Sequence, residues 1–202
     1  MIAKERIIGS KEFYKRVSQV VEILGLSKVV VNGSLCIVEK RLIDMVESLD
    51  YCSNVIAPNL QYFMLTELVA RLYELSHRVA REILVGVDTG VSMAYAVIVD
   101  GVLLDWGQLY DLEAFLDELH SIMCMFKARK KSVKMGINNR YILDVGKPRC
   151  YKLEFVDESK TNEKSLYLEK ILNGFKVSKH VRSAIAIALR KGVEVKALED
   201  VN

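Results

Sequence analysis

The chain has no uninterrupted apolar run near the roughly 20 residues that a bilayer-spanning helix needs, which argues against a membrane span. Its first residues, Met1-Ile-Ala-Lys-Glu-Arg6, lack the apolar core of a secretory signal. Charge of one sign is not in excess: the net charge of +3 is too small to argue for a nucleic-acid partner by itself. Cysteines are few, and Cys36, Cys52, Cys124 and Cys150 fall without metal-type spacing. They read as buried thiols of a cytoplasmic protein, and a zinc site is not expected from them. Glutamine is scarce, at Gln19, Gln61 and Gln108, while Lys, Arg and Glu abound. That bias is of the kind found in proteins from heat-loving sources.

What remains is a globular composition. With 202 residues, 51% hydrophobic and 27% charged, the chain can bury a core as one large or two small domains. It divides near residue 80. In 1–80, Ser10 caps a helix with the stripe Phe13, Val17, Val20, Val21 and Leu24, and Gly25 stops it. Val29-Val-Val and Leu35-Cys-Ile-Val flank Asn32-Gly33, a strong hairpin signal. A helix over about 39–49 follows. Pro58-Asn59 then opens a long helix with Leu60, Phe63, Met64, Leu68, Leu72, Leu75 and Val79 on one face. This small α+β region carries no recognisable chemistry.

Residues 81–202 read strand-strand-strand-helix-strand-helix-strand-helix. The stretch from Ile83 to Gly101 is the most informative: an apolar strand delivers Asp88 to its end, and Gly90 follows. Met93 to Val99 returns through Asp100-Gly101, a dipeptide suited to a type I′ turn. Val102 to Leu109 continues the meander. Asp111 caps a helix whose inner face is Leu112, Phe115, Leu116, Leu119, Ile122, Met123 and Phe126, closed by Lys127, Arg129, Lys130 and Lys131. Strands are expected at 132–137 and 151–156. Ser178 caps a last helix facing inward with Val181, Ala184, Ile185, Ala188 and Leu189, and Gly192 stops it.

Three motifs occur in order: Gly86-Val-Asp88-Thr-Gly90, Val156-Asp-Glu158-Ser-Lys160-Thr161, and His180-Val-Arg182-Ser183-Ala-Ile-Ala-Ile-Ala-Leu189. Together, over roughly 83–191, they resemble RuvC-like and YqgF-like members of the ribonuclease H superfamily. The resemblance implies an α/β fold: a mixed five-stranded sheet, made of an antiparallel three-stranded meander plus parallel strands, with helices on both faces. It implies a nuclease acting on branched or structured DNA or RNA, as a Holliday-junction resolvase does, by divalent-metal-dependent phosphodiester hydrolysis. Asp88 and Glu158 would hold Mg²⁺ or Mn²⁺, because hard cations take carboxylate oxygens. RuvC-like nucleases act as dimers, which implies a homodimer, and the helix near 60–79 offers a face for it.

The sequence departs from the family in its last motif, where Ser183 stands at the position of the family aspartate. In some RuvC-like enzymes a histidine three residues before that aspartate is a metal ligand, so the resemblance implies His180 as the third ligand; imidazole suits Mn²⁺ better than Mg²⁺. Lys160, Thr161, Lys179 and Arg182 are the candidate phosphate contacts. Two other readings stay open. One is a nucleic-acid-binding module that kept the fold and lost cleavage. The other is a nucleotide-binding protein, since Asp-x-Gly hairpins also open phosphate loops.

Overall fold

A computed structural model describes residues 6–32, 35–45, 52–90, 92–136, 150–157, 166–172 and 175–194. The chain forms two compact units, Met1–Val79 and Ala80–Asn202. The architecture is α/β.

The first unit holds a parallel three-stranded sheet of order β1-β2-β3, formed by β1 (Ile7–Ile8), β2 (Leu35–Val38) and β3 (Asn54–Ile56). Helix α1 (Lys11–Ile23) buries Phe13, Val17, Val20 and Val21; the Ser10 hydroxyl accepts from the amide of Phe13 at 3.2 Å. Gly25 follows it at φ +64, the left-handed conformation that glycine adopts freely at a helix end.

The hairpin expected around Asn32-Gly33 is not formed. Ser27–Asn32 is instead a short helix, α2. The reason is that β2 is the central strand: β1 pairs with one edge and β3 with the other, so no edge remains for Val29–Val31. Its four residues are all buried, as befits a parallel strand covered on both faces. The helix expected over 39–49 is a 3₁₀ segment, Lys40–Met45, within the described residues.

Helix α3 spans Met64–Leu75 rather than opening at Pro58-Asn59. Glu67 explains the late start. Its buried carboxylate turns back and accepts from the amides of Asn59 (2.6 Å) and Leu60 (3.0 Å), while Arg71 donates to its other oxygen at 2.7 Å. The segment before α3 therefore wraps over the helix start instead of extending it. Of the expected stripe, Phe63, Leu68 and Leu72 are buried in this unit's own core, Leu60 and Met64 are half-buried, and Leu75 and Val79 at its end are exposed; Leu65 and Val69 are buried beside it.

The second unit is built on a six-stranded mixed sheet of order β6-β5-β4-β7-β8-β9. β4 (Ala80–Asp88), β5 (Ala94–Val99) and β6 (Val102–Gln108) form the antiparallel meander; β7 (Ala128–Gly136) and β8 (Lys152–Val156) run parallel to β4. The turn between β5 and β6 places Asp100 at φ 50 and Gly101 at φ 85, as a type I′ turn requires. Asp100 also ties the turn to β4, its carboxylate accepting from the amide of Arg81 at 2.8 Å. A sixth strand, β9 (Val193–Glu194), adds antiparallel to β8 and enlarges the expected five. Gly192 permits this close approach, since a Cβ there would stand 2.7 Å from Glu154 Cβ.

Helices cover both faces. α4 (Leu112–Met125), capped by Asp111, turns Phe115, Leu119, Ile122 and Met123 inward, and Phe115 meets Tyr95 with ring centroids 5.3 Å apart. The expected basic helix end is instead strand: Arg129, Lys130 and Lys131 belong to β7, whose pairing with β4 begins at Ala80 and Ala128. On the other face, α5 (Leu166–Leu172) and α6 (Lys179–Leu189) pack Leu168, Ile171, Val181, Ala184, Ile185 and Ala188 onto Leu84, Ala94, Ala96 and Ile98.

The cysteines also differ from expectation. They are paired, Cys36 with Cys52 and Cys124 with Cys150, and both partners of the second pair are exposed.

Candidate functional site

Residues in a strand alternate between faces, so Leu84, Gly86 and Asp88 all point toward α6. Gly86 lets that helix close in. A Cβ there would collide with the carbonyl oxygen of Ala184 and stand 2.6 Å from the amide nitrogen of Ala188. The glycine demanded by close packing is thus Gly86. Gly90 has space for a side chain, whose Cβ would lie an ordinary 3.5 Å from Asp88 Oδ1.

The consequence of this packing is that the first turn of α6 sits over the end of β4. Ser178 fixes that turn, its hydroxyl accepting from the amide of Val181 at 3.3 Å. His180 then brings Nδ1 to 3.4 Å from Asp88 Oδ2. The other carboxylate oxygen accepts from the Gly90 amide at 3.2 Å. The Asp88 side chain is 12% exposed and that of His180 40%, so the pair lies at an accessible edge rather than in the core.

The geometry suits a shared cation. A separation of 3.4 Å is longer than the roughly 2.7–3.2 Å of a good N–H···O hydrogen bond. It is near the spacing of two donors on adjacent corners of one coordination shell. One carboxylate oxygen and one imidazole nitrogen make a mixed set that suits Mn²⁺ better than Mg²⁺. Those two residues fit a divalent ion as a partial site.

The other expected residues are distributed as follows. Glu158, Lys160 and Thr161 lie outside the described residues. The strand that leads to them is favourably placed: Val87, Met135 and Phe155 share one row across β4, β7 and β8. The carboxyl ends of the three parallel strands therefore open on one edge of the sheet, with β8 about 10 Å from β4. Ser183 is buried on α6, one turn beyond His180. Lys179 is exposed at the helix start. Arg182 donates to Glu169 of α5, so its charge is already engaged across the two helices.

One charged pair had no place in the sequence reading. Lys134 is buried within β7, beside Gly86 in β4 and Glu154 in β8, and its ammonium lies 3.9 Å from the Glu154 carboxylate. It also donates to the carbonyl of Arg190 just after α6. Burial lowers the pKa of this lysine below its usual 10.5, and Glu154 partly opposes the shift. The signal was a lysine between Val133 and Met135, within the run Ser132–Gly136 that is buried throughout. Its partners hold the far end of α6, so it anchors the helix that carries His180.

No family model matches this chain, and neither curated proteins nor solved structures give a match.

Proposed function

We propose that residues 80–202 form a ribonuclease H-like domain that cleaves branched or structured nucleic acid with a divalent cation. The observation that carries this reading is the approach of His180 Nδ1 to Asp88 Oδ2, 3.4 Å apart at the end of the central strand. The strand order supports it too. A meander leading into two parallel strands, with the first strand in the middle, is the order such domains use.

In this reading Asp88 and His180 hold the cation, and Glu158 completes the set. When bound, the cation activates the attacking water and offsets charge on the phosphate. Asp88 keeps its orientation through the Gly90 amide, and Ser178 holds the turn that presents His180. Lys179 is exposed beside the site and would receive a phosphate oxygen of the substrate. Lys160 and Thr161 are the further phosphate contacts. A second copy of the chain would supply the second cut of a paired incision.

Titration calorimetry with Mn²⁺ and Mg²⁺ on the full chain tests the reading, alongside cleavage of a four-way DNA junction and its RNA counterpart. Binding heat in the wild type that Asp88→Asn removes, with cleavage lost in the same variant, supports it. No metal-dependent heat and no cleavage would end it.

A second reading rests on Ser183, which puts a hydroxyl where the family has a carboxylate. A domain short of that charge would bind nucleic acid without cutting it. Salt-sensitive junction binding without turnover, unaffected by metal, is its signature.

A further inference from the structure

On the opposite face of the sheet from Asp88, the solvent side of α4 carries His120 and Cys124. They are four residues apart and so lie on one helix face. Cys150, just before β8, comes up beside them. The three potential ligand atoms lie within 4.8 Å of one another, and all three residues are exposed. Among the described residues, no other group of three or more His, Cys, Asp or Glu residues converges in this way. In the structure the two sulfurs are joined as a disulfide.

We propose that reduction of the Cys124–Cys150 disulfide converts this cluster into a zinc site, so that one place on the surface alternates between a covalent and a metal cross-link. Three observations carry it. First, Cys124 Sγ already stands 3.7 Å from His120 Nε2. A tetrahedral zinc with Zn–S of about 2.3 Å and Zn–N of about 2.0–2.1 Å sets those two donors roughly 3.6 Å apart. That edge of the polyhedron is therefore built before any metal arrives. Second, the Cα atoms of Cys124 and Cys150 are 5.3 Å apart, so the sulfurs can part by side-chain rotation alone to the roughly 3.8 Å that two thiolates on one zinc require. Third, the donor set is two thiolates and one imidazole, which selects zinc over the hard cations that suit the Asp88 site.

The chemistry balances as follows. A dithiol reductant gives two electrons and two protons to the S–S bond; the bond breaks to two thiols, and the reductant closes to its own disulfide. Zinc binding then displaces both thiol protons to solvent, and two Zn–S bonds and one Zn–N bond form. Water fills the fourth position. Tyr151 lies beside the cluster, its ring edge-on to His120 with centroids 6.4 Å apart. In both states the threshold of β8 stays fastened to α4.

Zinc and cobalt titration of the full chain, oxidised and after reduction by a phosphine, tests the proposal. The Cys36→Ser/Cys52→Ser variant, similarly reduced, removes the other cysteine pair from the count. The reduced protein is expected to bind one Zn²⁺, and Co²⁺ to give thiolate charge-transfer and tetrahedral ligand-field bands; the oxidised protein should show neither. His120→Ala should weaken zinc at least about tenfold, as loss of a ligand must exceed the cost of losing an outer-shell partner. A readout independent of the double variant is the melting temperature of the reduced wild type, which zinc should raise. The proposal is overturned by reduced protein that neither binds cobalt nor gains thermal stability with zinc, or by affinity that His120→Ala leaves unchanged.

Discussion

Gly86 of β4 lies directly beneath the carbonyl of Ala184 on α6, with no room for even a methyl group between strand and helix. The site depends on this contact, because the descent of α6 onto β4 carries His180 to Asp88. Gly86→Ala should therefore destabilise the protein by about 1–3 kcal/mol or more through overpacking. It should also weaken any Mn²⁺ binding at Asp88. Chemical denaturation and calorimetry on one preparation would show both; a variant as stable as wild type would mean that α6 packs elsewhere.

Ser183 offers the complementary test. Ser183→Asp restores the family carboxylate at a buried position, where an added charge without partners costs on the order of 1–3 kcal/mol. The metal-free variant should melt below wild type. Added Mn²⁺ should reverse the loss, contributing about 2.7 kcal/mol at a free concentration of 100 times Kd. If the melting temperature ignores Mn²⁺ in this variant, the side chain does not face the Asp88–His180 pair.

Lys134 makes stability depend on alkaline pH. Its folded pKa is lowered from 10.5, chiefly by burial, so the unfolded chain holds the proton more tightly than the folded one. Stability must then rise with pH between the lowered folded value and 10.5, relative to a variant lacking the group. Lys134→Met should flatten that part of the profile. Unfolding free energies of both proteins through the alkaline range decide it, and parallel profiles would refute the assignment.

In the first unit, Glu67 accepts from two backbone amides and from Arg71, and its residue is 3% exposed. Glu67→Gln loses the charge that strengthens all these bonds, at a cost of about 1.5–3 kcal/mol. A urea midpoint unchanged by the substitution would assign the segment before α3 to some other restraint.

The Cys36–Cys52 disulfide closes a loop with a sequence separation of 16. A loop of that length restrains the unfolded chain by about 3 kcal/mol. Cys36→Ser/Cys52→Ser should lower the unfolding free energy by roughly that amount under oxidising conditions. Under reduction the difference from wild type should shrink to the cost of a serine hydroxyl at the buried Cys36.

The parts of the fold that local chemistry dictates were readable in the chain. Ser10, Asp111 and Ser178 each accept from the amide three residues on. Asp100-Gly101 forms its tight turn. The stripes of α1, α4 and α6 face their cores. What failed was decided by distant partners. Val29–Val31 have strand-forming side chains, yet both edges of β2 were already taken by β1 and β3. Arg129–Lys131 look like a helix end until β4 offers them an edge. Of the candidate site, Asp88 and His180 meet because Gly86 admits α6. The importance of that glycine could not be seen without knowing what lay above it. The thiol cluster stayed hidden for the same reason: Cys124 and Cys150, at a sequence separation of 26, meet only in space.

The tight Asp100-Gly101 turn has a further consequence for how the molecule is made. β4, β5 and β6 find one another through neighbouring residues, whereas Val85 must wait for Val133 to emerge before the other side of β4 is covered. Close-range pairing is quick and long-range pairing slow, so the meander will assemble first on a growing chain. During that interval the newborn protein carries a bare, sticky flank beside Leu84, Val85 and Val87. The arrival of β7, with Arg129, Lys130 and Lys131 at its leading end, is the step that seals it.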